Sequence, residues 1–202
     1  MNTPVYFISD IHLKLKLDSK EKKRQKKLFR LLDHITKTGG TCFFVGDLFD
    51  FYFEYPDLIP KAFHNFYNKI KMMKSKNIEF HFLVGNHDYW VGDFIREEIM
   101  DEVYLEDTEI TINNKKIFVT HGDGLLSWDH GYRLLKKVIR SKSFTRLFQW
   151  LHPTISYKIA GFIYISVLFW LSQKFEDNLI RFTLWFFFGA PITAVFVAKL
   201  FG

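Results

Sequence analysis

Two hundred and two residues make one domain, or one domain with an appendage, and leave ample chain for a buried core. With 25% charged and 48% hydrophobic residues the chain is neither disordered nor membrane-embedded throughout, and a single cysteine, Cys42, excludes an internal disulfide. Twenty-eight Lys and Arg against 22 Asp and Glu give +6, which favours an anionic partner: phosphate, nucleic acid or a membrane surface. No cleavable signal peptide precedes the first apolar run, so the N-terminal part is expected in the cytosol.

Val5–Ser9 is a short apolar run and reads as a buried strand. Ser19–Lys37 is charged, with Leu28, Leu31, Leu32 and Ile35 at helical spacing, and Gly39-Gly40 ends it. Thr41–Val45 predicts a second strand, Pro60–Lys76 a helix with Phe63, Phe66, Tyr67 and Ile70 on one face, and Glu79–Val84 a third strand. A turn at Asn113-Asn114 joins Glu109–Ile112 to Lys116–Thr120 as a hairpin. Asp129–Leu151 reads as a basic amphipathic helix broken near Ser141–Ser143. Alternating strands and helices predict an α/β layered fold with a largely parallel centre, whose chemistry sits in loops at the carboxyl ends of strands.

A polar cluster follows each of the first three predicted strands and the second strand of the hairpin. These are Ser9-Asp10-Ile11-His12, Gly46-Asp47-Leu48-Phe49-Asp50, Gly85-Asn86-His87-Asp88 and His121-Gly122-Asp123. Turn chemistry accounts for the Gly and Asp residues but not for His12, His87 and His121 beside them. Carboxylate, imidazole and amide oxygen together suit a divalent metal such as Mn, Fe, Zn or Ni rather than a thiolate-bound one. His34, His64 and His81 lie outside the clusters and read as ordinary helix or strand residues.

In that order, SDIH, GDLFD, GNHD and HGD resemble the calcineurin-type metallophosphoesterases. The aromatic run Phe51-Tyr52-Phe53-Glu54, the stretch His121–Leu125 followed by Asp129-His130-Gly131-Tyr132, and Leu151-His152-Pro153 resemble one branch, the UDP-2,3-diacylglucosamine pyrophosphatases of lipid A synthesis. The resemblance covers about residues 4–160. The apolar tail at 161–202 departs from the family pattern, but the resemblance implies a metallophosphoesterase-type layered β-sandwich flanked by helices, with a helical cap at about 129–158. It also implies two divalent ions, manganese in expectation, with Asp10 and His12 on one, Asn86 and His121 on the other, and Asp47 bridging. His87 would face the phosphate with Asp88 orienting its ring, and Asn86 would also touch substrate. Asp50 is expected to support its loop. Asp129 and Tyr132 match positions that face the sugar, although Asp129 equally suits a helix N-cap.

Family members complete the metal site with a Gly-His-x-His block, and no His follows His152 in this sequence. Residues 160–202 instead hold nine of the 24 Phe and only five charges, at Lys174, Glu176, Asp177, Arg181 and Lys199. Ile159–Leu171 is short for a membrane span, whereas Phe182–Gly202 is long enough but interrupted by Gly189-Ala190-Pro191. Three readings stand: a membrane anchor or hairpin, an apolar lid over acyl chains, or an aberrant end left by a frameshift. The basic helix before the tail suits a membrane surface or a solvated face, and nothing in the sequence supports base reading.

Three functions follow. One is a pyrophosphatase acting on UDP-2,3-diacylglucosamine at the cytosolic face of the inner membrane, peripheral or anchored. The second is a phosphoesterase of different substrate. The third is a membrane-associated binding protein with impaired catalysis.

Overall fold

The computed structural model describes residues 1–55, 59–123, 133, 136–138 and 140–150. The chain divides into two units, Met1–Thr145 and Arg146–Gly202, and the architecture below belongs to the first, except that the last helix described runs past Thr145. Asp129, Tyr132, half of the expected cap and the apolar tail lie outside the described residues.

Four strands, β1 (Val5–Ile8), β2 (Thr41–Val45), β3 (Glu79–Leu83) and β4 (Glu102–Tyr104), form one parallel sheet in the order β1-β2-β3-β4. Their register pairs Phe7 with Phe43 and Phe43 with His81, so alternate side chains of neighbouring strands stack on common faces. β2 reads TCFFV without alternation because its first four residues are buried and both of its faces are covered, as parallel strands require.

Two helices cover one face. α1 (Ser19–Thr38) begins at Asp18, whose carboxylate accepts the Glu21 N–H at 2.8 Å, and ends at Gly39, whose φ of 70° is costly for other residues. Its buried positions, Glu21, Leu28, Leu32 and Ile35, fall on one stripe. A 3-10 turn at Lys61–Phe63 leads into α2 (His64–Lys74), which buries Phe66, Tyr67, Ile70 and Met73. These side chains pack on Cys42, Phe44, Phe80 and Phe82, forming the larger core. Burial pushes the Cys42 thiol up to about 12, so it behaves as a small apolar filler.

The opposite face carries Phe43 and Leu83. Against them pack Ile110 and Val119 of an antiparallel hairpin, β5 (Thr108–Ile112) and β6 (Lys115–Val119), turned by Asn113 and Asn114 at positive φ. Helix, sheet and hairpin therefore make the layers that the strand-helix alternation predicts. β4 and the π-helical turn Phe94–Ile99 were not foreseen in the sequence; the turn crosses over from the third ligand loop to β4. The basic segment is helical at 136–138, is interrupted at Arg140 and Ser141, and resumes as α3 (Lys142–Trp150). No helix among the described residues is long and apolar enough to cross a membrane.

Candidate metal centre

Because the sheet is parallel, the loops after β1, β2 and β3 leave it at the same edge, and the loop after β6 joins them there. Backbone hydrogen bonds fasten the loops together. The Asp10 N–H donates to the Gly46 carbonyl at 3.2 Å, the His12 N–H to the Asp47 carbonyl at 2.9 Å and the Gly46 N–H to the Leu83 carbonyl at 2.7 Å. Asp10, His12 and Asp47 all adopt positive φ, at 53°, 48° and 51°, a conformation that non-glycine residues rarely take and that clusters at functional sites. The His12 carbonyl accepts from the Arg24 guanidinium, which pairs at 2.8 Å with the buried Glu21 carboxylate, so the start of α1 braces the first loop.

The Asp47 carboxylate is the hub. Its Oδ2 lies 3.5 Å from His121 Nε2, 3.7 Å from His12 Nε2 and 3.9 Å from His87 Nε2. Its Oδ1 accepts the His87 N–H at 3.1 Å. His12 Nε2 is also 3.9 Å from Asp10 Oδ1, and His121 Nε2 is 3.3 Å from Asn86 Oδ1. Two groups, His12-Asp47-His87 and Asp10-Asp47-His121, each bring their ligand atoms within 4.8 Å of one another. Asp47 is common to both. The expected pairs also sit side by side, His12 with Asp10 and His121 with Asn86.

The donors fit divalent cations. Oxygen and imidazole ligands converge, and His12 Nδ1 is buried without a hydrogen-bond partner. Space at the site is left by two glycines: a Cβ at Gly46 would fall on the His121 ring, and one at Gly85 on the Asp47 carboxylate.

Electrostatics follow from the same contacts. Burial pushes the Asp47 carboxyl up, but the His121 hydrogen bond, the His87 N–H and the two ring charges outweigh it and hold it below its ordinary range. His121 rises to about 9 through its hydrogen bond to Asp47, against the opposing effect of burial. Its Nδ1–H donates to the Val45 carbonyl at 3.3 Å and its Nε2 faces only acceptors, so without metal the ring holds both protons.

One expected role changes hands. Asp88 does not orient the His87 ring. It is fully buried, and its two oxygens accept the Gly85 N–H at 2.8 Å and the Phe49 N–H at 3.1 Å, tying the second and third loops together. The His87 ring is held by the Asp50 backbone carbonyl, which accepts from Nδ1 at 2.6 Å and leaves Nε2 facing Asp47. Two supports escaped the sequence reading. Glu54 is buried and accepts the Phe94 and Ile95 N–H groups, capping the π-helical turn. Asp123 pairs with Lys136 at 2.8 Å and lies 3.7 Å from Arg140, whose guanidinium sits 4.3 Å over the Tyr89 ring. The Asp of HGD was visible, but only its partners thirteen and more residues on reveal its use.

The calcineurin-like phosphoesterase family model matches residues 3–188. A UDP-2,3-diacylglucosamine hydrolase of Porphyromonas gingivalis is 28% identical over 154 residues, covering 76% of this chain and 59% of that protein. Proteins of the same name from Haemophilus influenzae and Neisseria meningitidis are 29% and 28% identical, covering 77% and 72% of this chain and 63% and 59% of theirs. The chain thus spans about three fifths of the length of these relatives. A solved structure of a protein of unknown function from Aquifex aeolicus is similar at a TM-score of 0.39, with 18% identity, 67% of this chain and 70% of that one.

Proposed function

The chain belongs to the calcineurin-like phosphoesterase family, and from that premise we propose that it hydrolyses the pyrophosphate bond of UDP-2,3-diacylglucosamine, releasing UMP and 2,3-diacylglucosamine 1-phosphate. The observation that carries this reading is the Asp47 carboxylate with three imidazole Nε2 atoms within 3.9 Å, at the loop edge of a parallel sheet. The substrate comes from the names of the relatives.

Asp10, His12, Asp47, Asn86 and His121 would hold two divalent ions, with manganese the first to test. Such ions make hydroxide available near neutral pH and neutralise phosphate oxygens. The side chains supply the rest. His87, fixed through Nδ1 by the Asp50 carbonyl, presents Nε2 to donate a hydrogen bond to a phosphate oxygen or a proton to the departing one. Asp88 keeps the Gly85 turn closed so that the Asp47 carboxylate has its space. Asp129 and Tyr132 would meet the sugar. The two acyl chains place the reaction at a membrane face, on the cytosolic side of the inner membrane.

The test supplies Mn²⁺ and the acylated sugar nucleotide and measures UMP. Hydrolysis that needs metal and falls at least about a hundredfold in Asp47→Ala supports the reading. Cleavage of a generic phosphodiester with none of the acylated sugar nucleotide selects a different phosphoesterase. Binding of that nucleotide without turnover at saturating metal selects a binding protein.

A further inference from the structure

We infer that residues 14–30, the first-loop exit and the N-terminal half of α1, form a docking surface for an anionic lipid bilayer. This segment plays no part in the candidate metal centre beyond its bracing contacts. It contains nine basic residues, Lys14, Lys16, Lys20, Lys22, Lys23, Arg24, Lys26, Lys27 and Arg30, and two acidic ones, Asp18 and Glu21. Both acids are already engaged. Asp18 caps the helix, and Glu21 is 2% exposed and bound to Arg24. Lys20, Lys22, Lys23, Lys26, Lys27 and Arg30 are exposed and make no ion pair among the described residues.

Helical geometry concentrates the charge. At about 100° per residue, Lys23, Lys26, Arg30 and Lys37 fall within about 60° of one another on the side opposite Leu28 and Leu32, with Lys22 and Lys27 flanking them. Asp33, beside that stripe, is paired with Lys69. The approach to the helix adds an apolar component. In Lys14-Leu15-Lys16-Leu17, Leu15 and Leu17 are 40% and 43% exposed, although Leu13 just before them is buried and bridges to Phe49. Exposed aliphatic side chains between lysines contribute nothing to the core. They match an interface in which cations meet lipid headgroups and short apolar side chains enter the acyl boundary.

A single-stranded nucleic acid would be met instead by exposed aromatic platforms. Phe29, the one aromatic residue in this segment, packs on the core. The segment leaves the candidate site directly, with Lys14 Nζ 3.9 Å from the Asp50 carboxylate, so lipid contact here would bring that site to the bilayer. This purpose rests on the acylated substrate proposed above; the lipid contact itself does not, because it is measured without turnover.

The experiment is co-sedimentation of the full chain, free of metal and nucleotide, with phosphatidylcholine vesicles with or without phosphatidylglycerol. Each basic residue near an anionic surface changes partitioning about fivefold. Wild type should bind anionic vesicles at least about tenfold better than neutral ones, with the preference lost at about 0.5 M salt. The Gln variant, K22Q/K23Q/K26Q/K27Q/R30Q, should lose that preference, and Leu15→Ser with Leu17→Ser should weaken binding while keeping the salt dependence. Unchanged urea midpoints establish that both variants are folded. Equal binding to neutral vesicles, an undiminished preference in the Gln variant, or capture of an RNA oligonucleotide without vesicle binding would each overturn the proposal. UMP release from a short-chain soluble substrate by the Gln variant separates the two readings: activity there with no vesicle binding upholds both, and loss of vesicle preference in wild type sinks only this one.

Discussion

Replacing Asp88 by Asn separates a loop-tying carboxylate from a catalytic one. Burial raises this carboxyl to about 6 from 3.8, against the backbone N–H groups of Phe49 and Gly85, with the Asp47 charge adding to the rise. Two units correspond to about 3 kcal/mol. The fold favours the protonated form, so the group's contribution is fully present below pH 3.8 and is lost as pH rises through about 6. Asn removes that titration. It also turns one of the two accepting oxygens into an N–H donor facing a backbone N–H, costing about 1–3 kcal/mol. Near pH 7 the two effects roughly cancel, and wild type and D88N should have similar urea midpoints. Toward pH 4.5 the wild type regains its contribution and D88N falls behind by about 2 kcal/mol. Urea unfolding of the metal-free proteins across that range measures the difference. A gap that stays constant with pH would refute the reasoning, and so would one that widens as pH rises.

Other expectations follow from the same geometry. His121 holds its second proton up to about pH 9, and metal must displace it, so Mn²⁺ affinity should rise about tenfold per pH unit between 6.5 and 8.5; a flat titration-calorimetry profile would contradict this. Gly85→Ala puts a methyl on the Asp47 carboxylate and backbone nitrogen, and should lower metal affinity at least about tenfold while costing about 1–3 kcal/mol of stability; wild-type calorimetry would show that the loop yields freely. Asp123→Ala unties Lys136 and Arg140, so amides from 136 to 145 should exchange with solvent faster while those of α2 keep wild-type protection.

The core strands and the ligand loops were legible for different reasons. β2 matched its predicted limits because TCFFV is apolar on both faces and Gly40 and Gly46 bracket it. The helix expected at Pro60–Lys76 forms at His64–Lys74 with the expected face inward, its first turn tightened to 3-10 form after Pro60. β4 stayed hidden because Glu102–Tyr104 is too short to show alternation and exists by pairing with β3. At the site, residue chemistry betrayed Asp10, His12, Asp47, Asn86, His87 and His121, which the structure gathers around one carboxylate. What holds His87 was illegible because the partner is a main-chain carbonyl, which every residue has. The division of labour between Asp47 and Asp88 was illegible too, since both are buried carboxylates near a glycine and only their partners, three imidazoles on one and backbone N–H groups on the other, distinguish a hub from a knot.

The layering also gives the site an order of disassembly. Its first three loops are rooted in the large core under α1 and α2, whereas His121 arrives on a hairpin whose described buried contacts with the sheet are Ile110 and Val119 on Phe43 and Leu83. Cooperative units with few buried apolar contacts open first. On warming, β5 and β6 should therefore peel away while β1 to β4 remain native, removing His121 from Asp10 and Asp47 and leaving His12, Asp47 and His87 assembled. The centre would come apart as two half-sites with separate lifetimes, and the one served by the hairpin would set how long the whole endures.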